Sequence, residues 1–482
     1  MNKLKEYFKS YYVLNDVSGL LFWDNATNLP KKSIESRSEQ MSILSNFTDR
    51  IFRSEDIQEE IQKAENTKLS EADSMSLKLM KSIIVKENAI DPDLKSLLIK
   101  KKLTCEHLWR EARSKNDSSI IEKDFNDLLD LVHEEASQLA KATNLSPYDS
   151  LISKYDMDYD SSKIDKFFSV IEREIIPKYL DIKKIKSPHV YKSNISDSEI
   201  LKMIKVKLKQ LNFDFDRGRI DQSHHPFCGG ATNDVRITTR FEDNILESLS
   251  ALFHETGHGV YEQNRPNEYL YEPLGQSRSL SVHESQSLFF ENHIFKSKVY
   301  FNIINNIFDN SKDLEKSFLE HYHTVRVNPI RVSADEFSYP IHVYIRYKIE
   351  KEIFKNKIKF KDIKNLWNEN YLNNLSINLI SETEGVLQDI HWYEGIFGYF
   401  PTYALGAMIA SQIKFNCPLF DIFLGNPNEE NINNLIIWLN TNIHQKASLY
   451  SSDEMLQSIS GENLNPKYYL DHLVDRFIKL NI

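Results

Sequence analysis

Glycine is nearly absent from the first two hundred residues of this chain, and no other feature limits the fold as strongly. Gly19 is the only glycine before Gly218. Turn-rich sheet folds need backbone positions of positive φ, which glycine supplies most readily. A stretch this long without it reads as helices joined by short polar turns. The apolar spacing agrees, with Phe125, Leu128, Leu129, Val132, Ala136 and Leu139 falling on one helical face. A break is expected at 183–196, where a Lys-rich stretch containing Pro188 runs into polar residues. A helix should start at Ser196, because Glu199 stands three residues on as in a capping box.

Ten of the 13 glycines lie between Gly218 and Gly406, so irregular backbone is concentrated where the chemistry-bearing residues also fall. The expectation is a mainly α fold with a small β-sheet near the active site. It is one unit over 1–482, divided into a mainly helical half at 1–200 and a half at 201–482 that carries all the chemistry-bearing motifs. One strand is expected at 234–240, where polar and apolar residues alternate after Gly229 and Gly230. It would place Asp234, Arg236 and Thr238 on one face and offer an edge to which a further extended segment could add.

The bulk properties exclude several partners. With 60 basic and 70 acidic residues and a formal charge of −10, the chain has no electrostatic footprint for nucleic acid. No apolar run approaches the roughly 18 residues of a membrane span, and the N-terminus lacks the apolar stretch of a signal peptide. Cys105, Cys228 and Cys417 are far apart and lack metal-type spacing. They fit free thiols in a reducing cytoplasm.

The segment His254-Glu255-Thr256-Gly257-His258 points to a metal. Residues i and i+4 of a helix share one face, so both imidazoles can reach a single ion. Glu255 is turned by about 100° from His254, which sets its carboxylate beside the ion as a general base and not as a ligand. Ile245, Leu246, Leu249, Leu252 and Phe253 form an apolar stripe leading into the motif, against the alternative of a chance spacing on an exposed helix. A catalytic site needs a third protein ligand. Glu262 continues the same face but lies about 12 Å along the axis from His254, too far to share a tetrahedral ion. After Pro266, Pro273 and Gly275 a helical pattern resumes over 281–290 and could return beside the first. Its Glu284 is the candidate third ligand, against the reading of a surface carboxylate in a first helical turn. His283 reads as a neighbour of the ligands.

These residues resemble the carboxypeptidase Taq family of metallocarboxypeptidases along nearly the whole chain. The motifs occur in order: His225-Pro226-Phe227; Asp234, Arg236 and Thr238; the motif at 254–258; His283-Glu284-Ser285 with Gln286; Ile330, Arg331, Ala334 and Asp335; and Gly385, Gln388, Asp389, His391 and Trp392. Trp23, Asp24, Thr27, Pro30, Arg37 and Gln40 resemble the family's opening segment. The resemblance implies a helical body with a deep groove like that of neurolysin, a homodimer, and removal of single residues from peptide C-termini. It also implies Glu284 as the third ligand.

The remaining motifs then take candidate roles. A guanidinium suits a terminal carboxylate because its planar fork binds bidentately, so Arg331 and Arg236 are candidate substrate contacts. The alternative for each is a structural ion pair, Arg236 with Asp234 or Arg331 with Asp335. His225 is a candidate substrate contact from its turn. His391 and a tyrosine such as Tyr403 are candidate donors to the oxyanion, with core packing as the alternative for that aromatic stretch. The cofactor is one divalent ion, zinc in the first instance, with cobalt accepted by the same ligands. The substrate is a peptide with a free C-terminus. Rival readings are an oligoendopeptidase acting within short peptides and a non-catalytic metal-binding scaffold.

Overall fold

The computed structural model describes every residue except 185, 186, 224 and 480–482, with only the backbone at Lys31 and Glu55. The glycine-poor stretch is helical, with long helices at Asn2–Thr27, Ile34–Ile51, Glu71–Ala89, Pro92–Lys115 and Glu122–Thr143. Each of the six apolar positions expected on the last of these is buried. The helices close without glycine because asparagine takes its place. Asn116 and Asn144 adopt left-handed backbone at φ 54° and 58°, which asparagine tolerates better than most side chains. Gly19 has a different reason. A Cβ there would stand 2.3 Å from the carbonyl oxygen of Gly230, so the first helix needs glycine where it crosses a strand.

The chain forms two compact units, each assembled from three stretches. One comprises Met1–Asn88, Val190–Phe318 and Ile409–Leu464, and the other Ala89–His189, Leu319–Met408 and the residues from Asn465 onward. One crossing, between His189 and Val190, falls in the break expected at 183–196, of which residues 185 and 186 lie outside the described residues. The helix Asp197–Gln210 starts as expected, with the Ser196 N–H donating to the Glu199 carboxylate at 3.3 Å.

The first unit holds a three-stranded sheet of β1 (Gly218–Gln222), β2 (Cys228–Ala231) and β3 (Asp234–Thr239), in the order β1-β3-β2. β3 is parallel to β1, with Ile220 opposite Ile237, and antiparallel to β2, with Cys228 opposite Ile237. The strand expected at 234–240 is therefore present, but as the central strand. Both of its edges are already paired, which corrects the expectation that it offers an edge to a further extended segment. The helix Ile245–Gln263 rests on this sheet through Gly259, where a Cβ would meet Phe213 at 2.7 Å and Ile237 at 3.3 Å.

In the second unit the helix Tyr339–Asn356 buries most of its length. Its Glu350 is fully buried and accepts hydrogen bonds from Trp392 Nε1 at 2.7 Å, Tyr148 Oη at 2.8 Å and Gly398 N at 2.9 Å. Burial outweighs these three donors and pushes the carboxyl up to about 7. A carboxyl raised on folding binds protons more tightly in the native state, so its contribution to stability falls as pH rises from about 4.5 to 7. The stability difference between the protein and Glu350→Gln, measured by denaturant titration at pH 5 and pH 8, should shift against the glutamate at pH 8 by about 1–3 kcal/mol.

Candidate metal centre

The helix Ile245–Gln263 begins at Asn244, whose side chain accepts from Leu246 N at 3.2 Å. Its stripe of Ile245, Leu246, Leu249, Leu252 and Phe253 is buried, and this fixes the rotation of the helix about its axis. His254 and His258 are then presented together, with side chains 21% and 13% exposed. The chain turns at Pro273–Gly275 and returns as the helix Leu280–Leu288, capped by the Ser279 hydroxyl on Val282 N. The two helices meet at Gly257, where a Cβ would lie 2.4 Å from Gln286 O and 2.7 Å from Ser287 Cα. Only glycine permits that approach, and it carries Glu284 onto the histidines.

Glu284 Oε2 stands 3.4 Å from His258 Nε2 and 3.7 Å from His254 Nε2, and one ligand atom from each residue lies within 4.8 Å of the others. Two imidazole nitrogens and a carboxylate oxygen converging at this spacing match the donor set of an open zinc-type site. Among the described residues this is the one such group of three. The residues fit a divalent ion.

The surrounding groups hold this set in place. His254 Nδ1 is 2.8 Å from Glu291 Oε2, and the other oxygen of Glu291 receives Ser250 Oγ at 2.8 Å and Lys296 Nζ at 2.7 Å. A carboxylate behind a metal-facing imidazole sets its tautomer and raises its basicity. Burial works against charge on His254, but Glu284 and Glu291 outweigh it and raise the imidazole to about 10. Without an ion the carboxylates therefore keep a proton there, and binding must displace it. Burial lowers His258 to about 4, with His283 adding to the effect, so this imidazole favours its neutral form near pH 7. Burial also pushes Glu255 up to about 7, against the pull of His254 and with help from Glu284 and Glu291. That value suits a group which must accept and return a proton near neutrality.

Glu262 is not in the trio, in line with its distance along the helix. Its Oε1 lies 2.8 Å from His283 Nε2 and its Oε2 2.9 Å from Arg265 Nε. Burial raises its carboxyl, but Arg265 and His283 outweigh that and bring it down to about 2.

The other candidate residues fall into separate clusters. His225 is exposed, in the turn before β2, with its carbonyl accepting from Ser223 Oγ at 2.5 Å. Arg236 places its fork on Asp234, at 2.9 and 2.5 Å. In the second unit Arg331 is buried and places Nε and Nη2 on Asp389 Oδ1 at 3.1 and 2.9 Å, with Nη1 on Tyr339 Oη at 2.8 Å. The local partner considered for it, Asp335, instead accepts from the backbone N–H groups of Arg326, Phe337 and Ser338. Asp389 also receives Arg346 Nε at 2.6 Å, and the two arginines hold its carboxyl far below the usual range despite burial. His391 Nε2 lies 3.3 Å from Tyr403 Oη, so the expected histidine and tyrosine are neighbours.

Sequence reasoning missed Glu291, Arg346 and the pairing of Asp389. The signal for Glu291 was its spacing, seven residues beyond Glu284 and so two helical turns along one face. It lies in the π-helical stretch Phe289–Phe295, a form common next to functional sites.

The comparisons with known proteins point one way. A family model for carboxypeptidase Taq (M32) metallopeptidases matches residues 3–477. The chain is 31% identical to carboxypeptidase 1 of Bacillus subtilis, over 99% of this chain and 98% of that protein. It is 27% identical to thermostable carboxypeptidase 1 of Pyrococcus furiosus, over 98% and 97%. Among solved structures, metallocarboxypeptidase 1 of Trypanosoma cruzi superposes with a TM-score of 0.93 at 29% identity, covering 99% of each chain.

Two outcomes follow for the centre. Glu291→Gln should weaken divalent-ion affinity by about 10–100-fold, read by competition with a chelator, while the fold persists. Gly257→Ala should lower thermal stability by about 1–3 kcal/mol and reduce bound metal together, because the helices must separate to admit the methyl group.

Proposed function

The chain belongs to the carboxypeptidase Taq (M32) metallopeptidase family and is a metallocarboxypeptidase, a hydrolase of peptide bonds, and from that premise we propose how its own residues do the work. His254, His258 and Glu284 hold one divalent ion, zinc by preference and cobalt as an alternative. The observation that carries this is the convergence of their ligand atoms within 4.8 Å beside a buried Glu255. When bound, such an ion supplies the Lewis acidity that makes water nucleophilic near neutral pH.

Glu255 takes the proton of the attacking water and returns it to the leaving amine. His391 and Tyr403 donate to the carbonyl oxygen as it gains charge, a role supported by their mutual contact of 3.3 Å. The peptide's free carboxylate is met by Arg331, with Arg236 and His225 as further contacts. Arg331 commits three of its five N–H groups to Asp389 and Tyr339, which leaves two for substrate. The reading extends to a homodimer working in the cytoplasm. Resemblance to the family supports the first, and the unpaired Cys105, Cys228 and Cys417 support the second.

Incubation of the metal-loaded protein with mixed peptides should give products differing by single C-terminal residues, read by mass. Peptides with an amidated C-terminus should survive, and internal cleavage of them would favour an oligoendopeptidase instead. Glu255→Gln should retain its metal and lose turnover by at least about 10²-fold. A near-normal rate would remove Glu255 from the mechanism.

A further inference from the structure

The two histidines of the centre are held in different ways. His254 is fixed from behind by Glu291, and Glu291 is itself held by Ser250 and Lys296. His258 has no such support. Its Nδ1 is buried and lacks a hydrogen-bond partner among the described residues. Its one polar restraint is therefore on the other side of the ring, where Nε2 lies 3.4 Å from Glu284 Oε2, and a turn about the Cβ–Cγ bond would carry Nε2 away from Glu284. A metal-facing imidazole normally has its far nitrogen held.

The ring is confined by its faces. The imidazole of His283 lies over that of His258, with centroids 4.4 Å apart and planes within 24°. The ring of His254 meets it edge-on at 4.9 Å and 85°. His283 is in turn clamped, with Nε2 on Glu262 at 2.8 Å and the ring of Tyr261 tilted against it at 5.5 Å. Glu262 is held by Arg265, which is buried and also bonds the carbonyl of Gly275 at 3.3 Å. A line of contacts thus runs from the turn at Pro273–Gly275 through Arg265, Glu262 and His283 to the face of His258.

We infer that His283, clamped by Glu262, is the positioning residue that sets the ring plane of His258 by stacking, as Glu291 sets that of His254 by a hydrogen bond. This rests on His254, His258 and Glu284 being the metal set. Glu262 is out of reach of the ion, yet it lies one turn beyond His258 on the same face, where it can hold the ring that covers its neighbour. Offset stacking of two flat rings limits rotation while asking nothing of their nitrogens.

The test compares His283→Ala, His283→Phe and Glu262→Gln with the unaltered protein and with His254→Ala. Zinc affinity is read by chelator competition, and the cobalt-loaded forms are read by their visible absorption bands. Far-UV circular dichroism confirms that each variant is folded. His283→Ala should bind zinc about 10–100-fold more weakly and shift the cobalt bands, whereas His283→Phe, which keeps a flat ring, should recover most of both. Glu262→Gln should fall between them. Unchanged affinity and bands in His283→Ala would overturn the inference, as would His283→Phe behaving like His283→Ala. If His254→Ala also binds zinc normally, the metal assignment itself fails, and not only the role of His283.

Discussion

The centre depends on one close approach of backbone to backbone. Gly257 sits between the two histidines of its helix and faces the carbonyl of Gln286 and the Cα of Ser287 at distances no side chain would allow. The residues on either side of it in the return helix take their position from that contact. Glu284 meets the histidines, and Glu291, two turns on, meets the far side of His254. The apolar stripe of the first helix, buried against its own unit, determines which way the histidines face. The glycine determines how far away the third ligand stands.

Charge in this unit is arranged in layers around the trio. Three carboxylates, Glu284, Glu291 and Glu262, lie within ion-pair distance of His254, His258 or His283. Lys296 neutralises one of them and Arg265 another. Glu284 has no lysine or arginine of its own among the described pairs, where its partners are His254 and His258. Glu255 has no lysine or arginine partner among the described pairs either, and burial raises it against the pull of His254. The distribution leaves the charge of Glu284 to be balanced by the imidazoles of the trio and places a weakly acidic carboxyl beside them.

The second unit is built around a different kind of pair. Asp389 sits between the buried Arg331 and Arg346 with its side chain 10% exposed, and Gln388 links the same arginines by accepting from Arg331 N at 3.0 Å and Arg346 Nη2 at 2.7 Å. Removing one member of so buried a set would leave a charge uncompensated. Arg331 also lies over the ring of Tyr403 at 5.1 Å. The motifs around 331 and 389, separate in sequence, are thus one network that orders the tyrosine next to His391.

Much of this was legible in the chain alone. Local rules of helical geometry gave the helical N-terminal stretch, the helix carrying 254–258, the capping box at Ser196 and the strand after Gly230, because each depends on residues only a few positions apart. The same geometry excluded Glu262 as a ligand and singled out Glu284. What the chain did not reveal was who faces whom across long separations. β3 lies in the middle of its sheet because β1, earlier in the chain, pairs with its other side, and no local pattern encodes that. Arg331 chose Asp389, 58 residues away, over the nearby Asp335, which was taken up by backbone N–H groups. Glu291 behind His254 and His283 over His258 likewise follow from the packing of two helices at Gly257. The sequence by itself determined which residue types stand on which helical face. Only the tertiary structure decided their partners, because burial penalises charges and polar groups left unpaired, and the fold sets which partners are within reach.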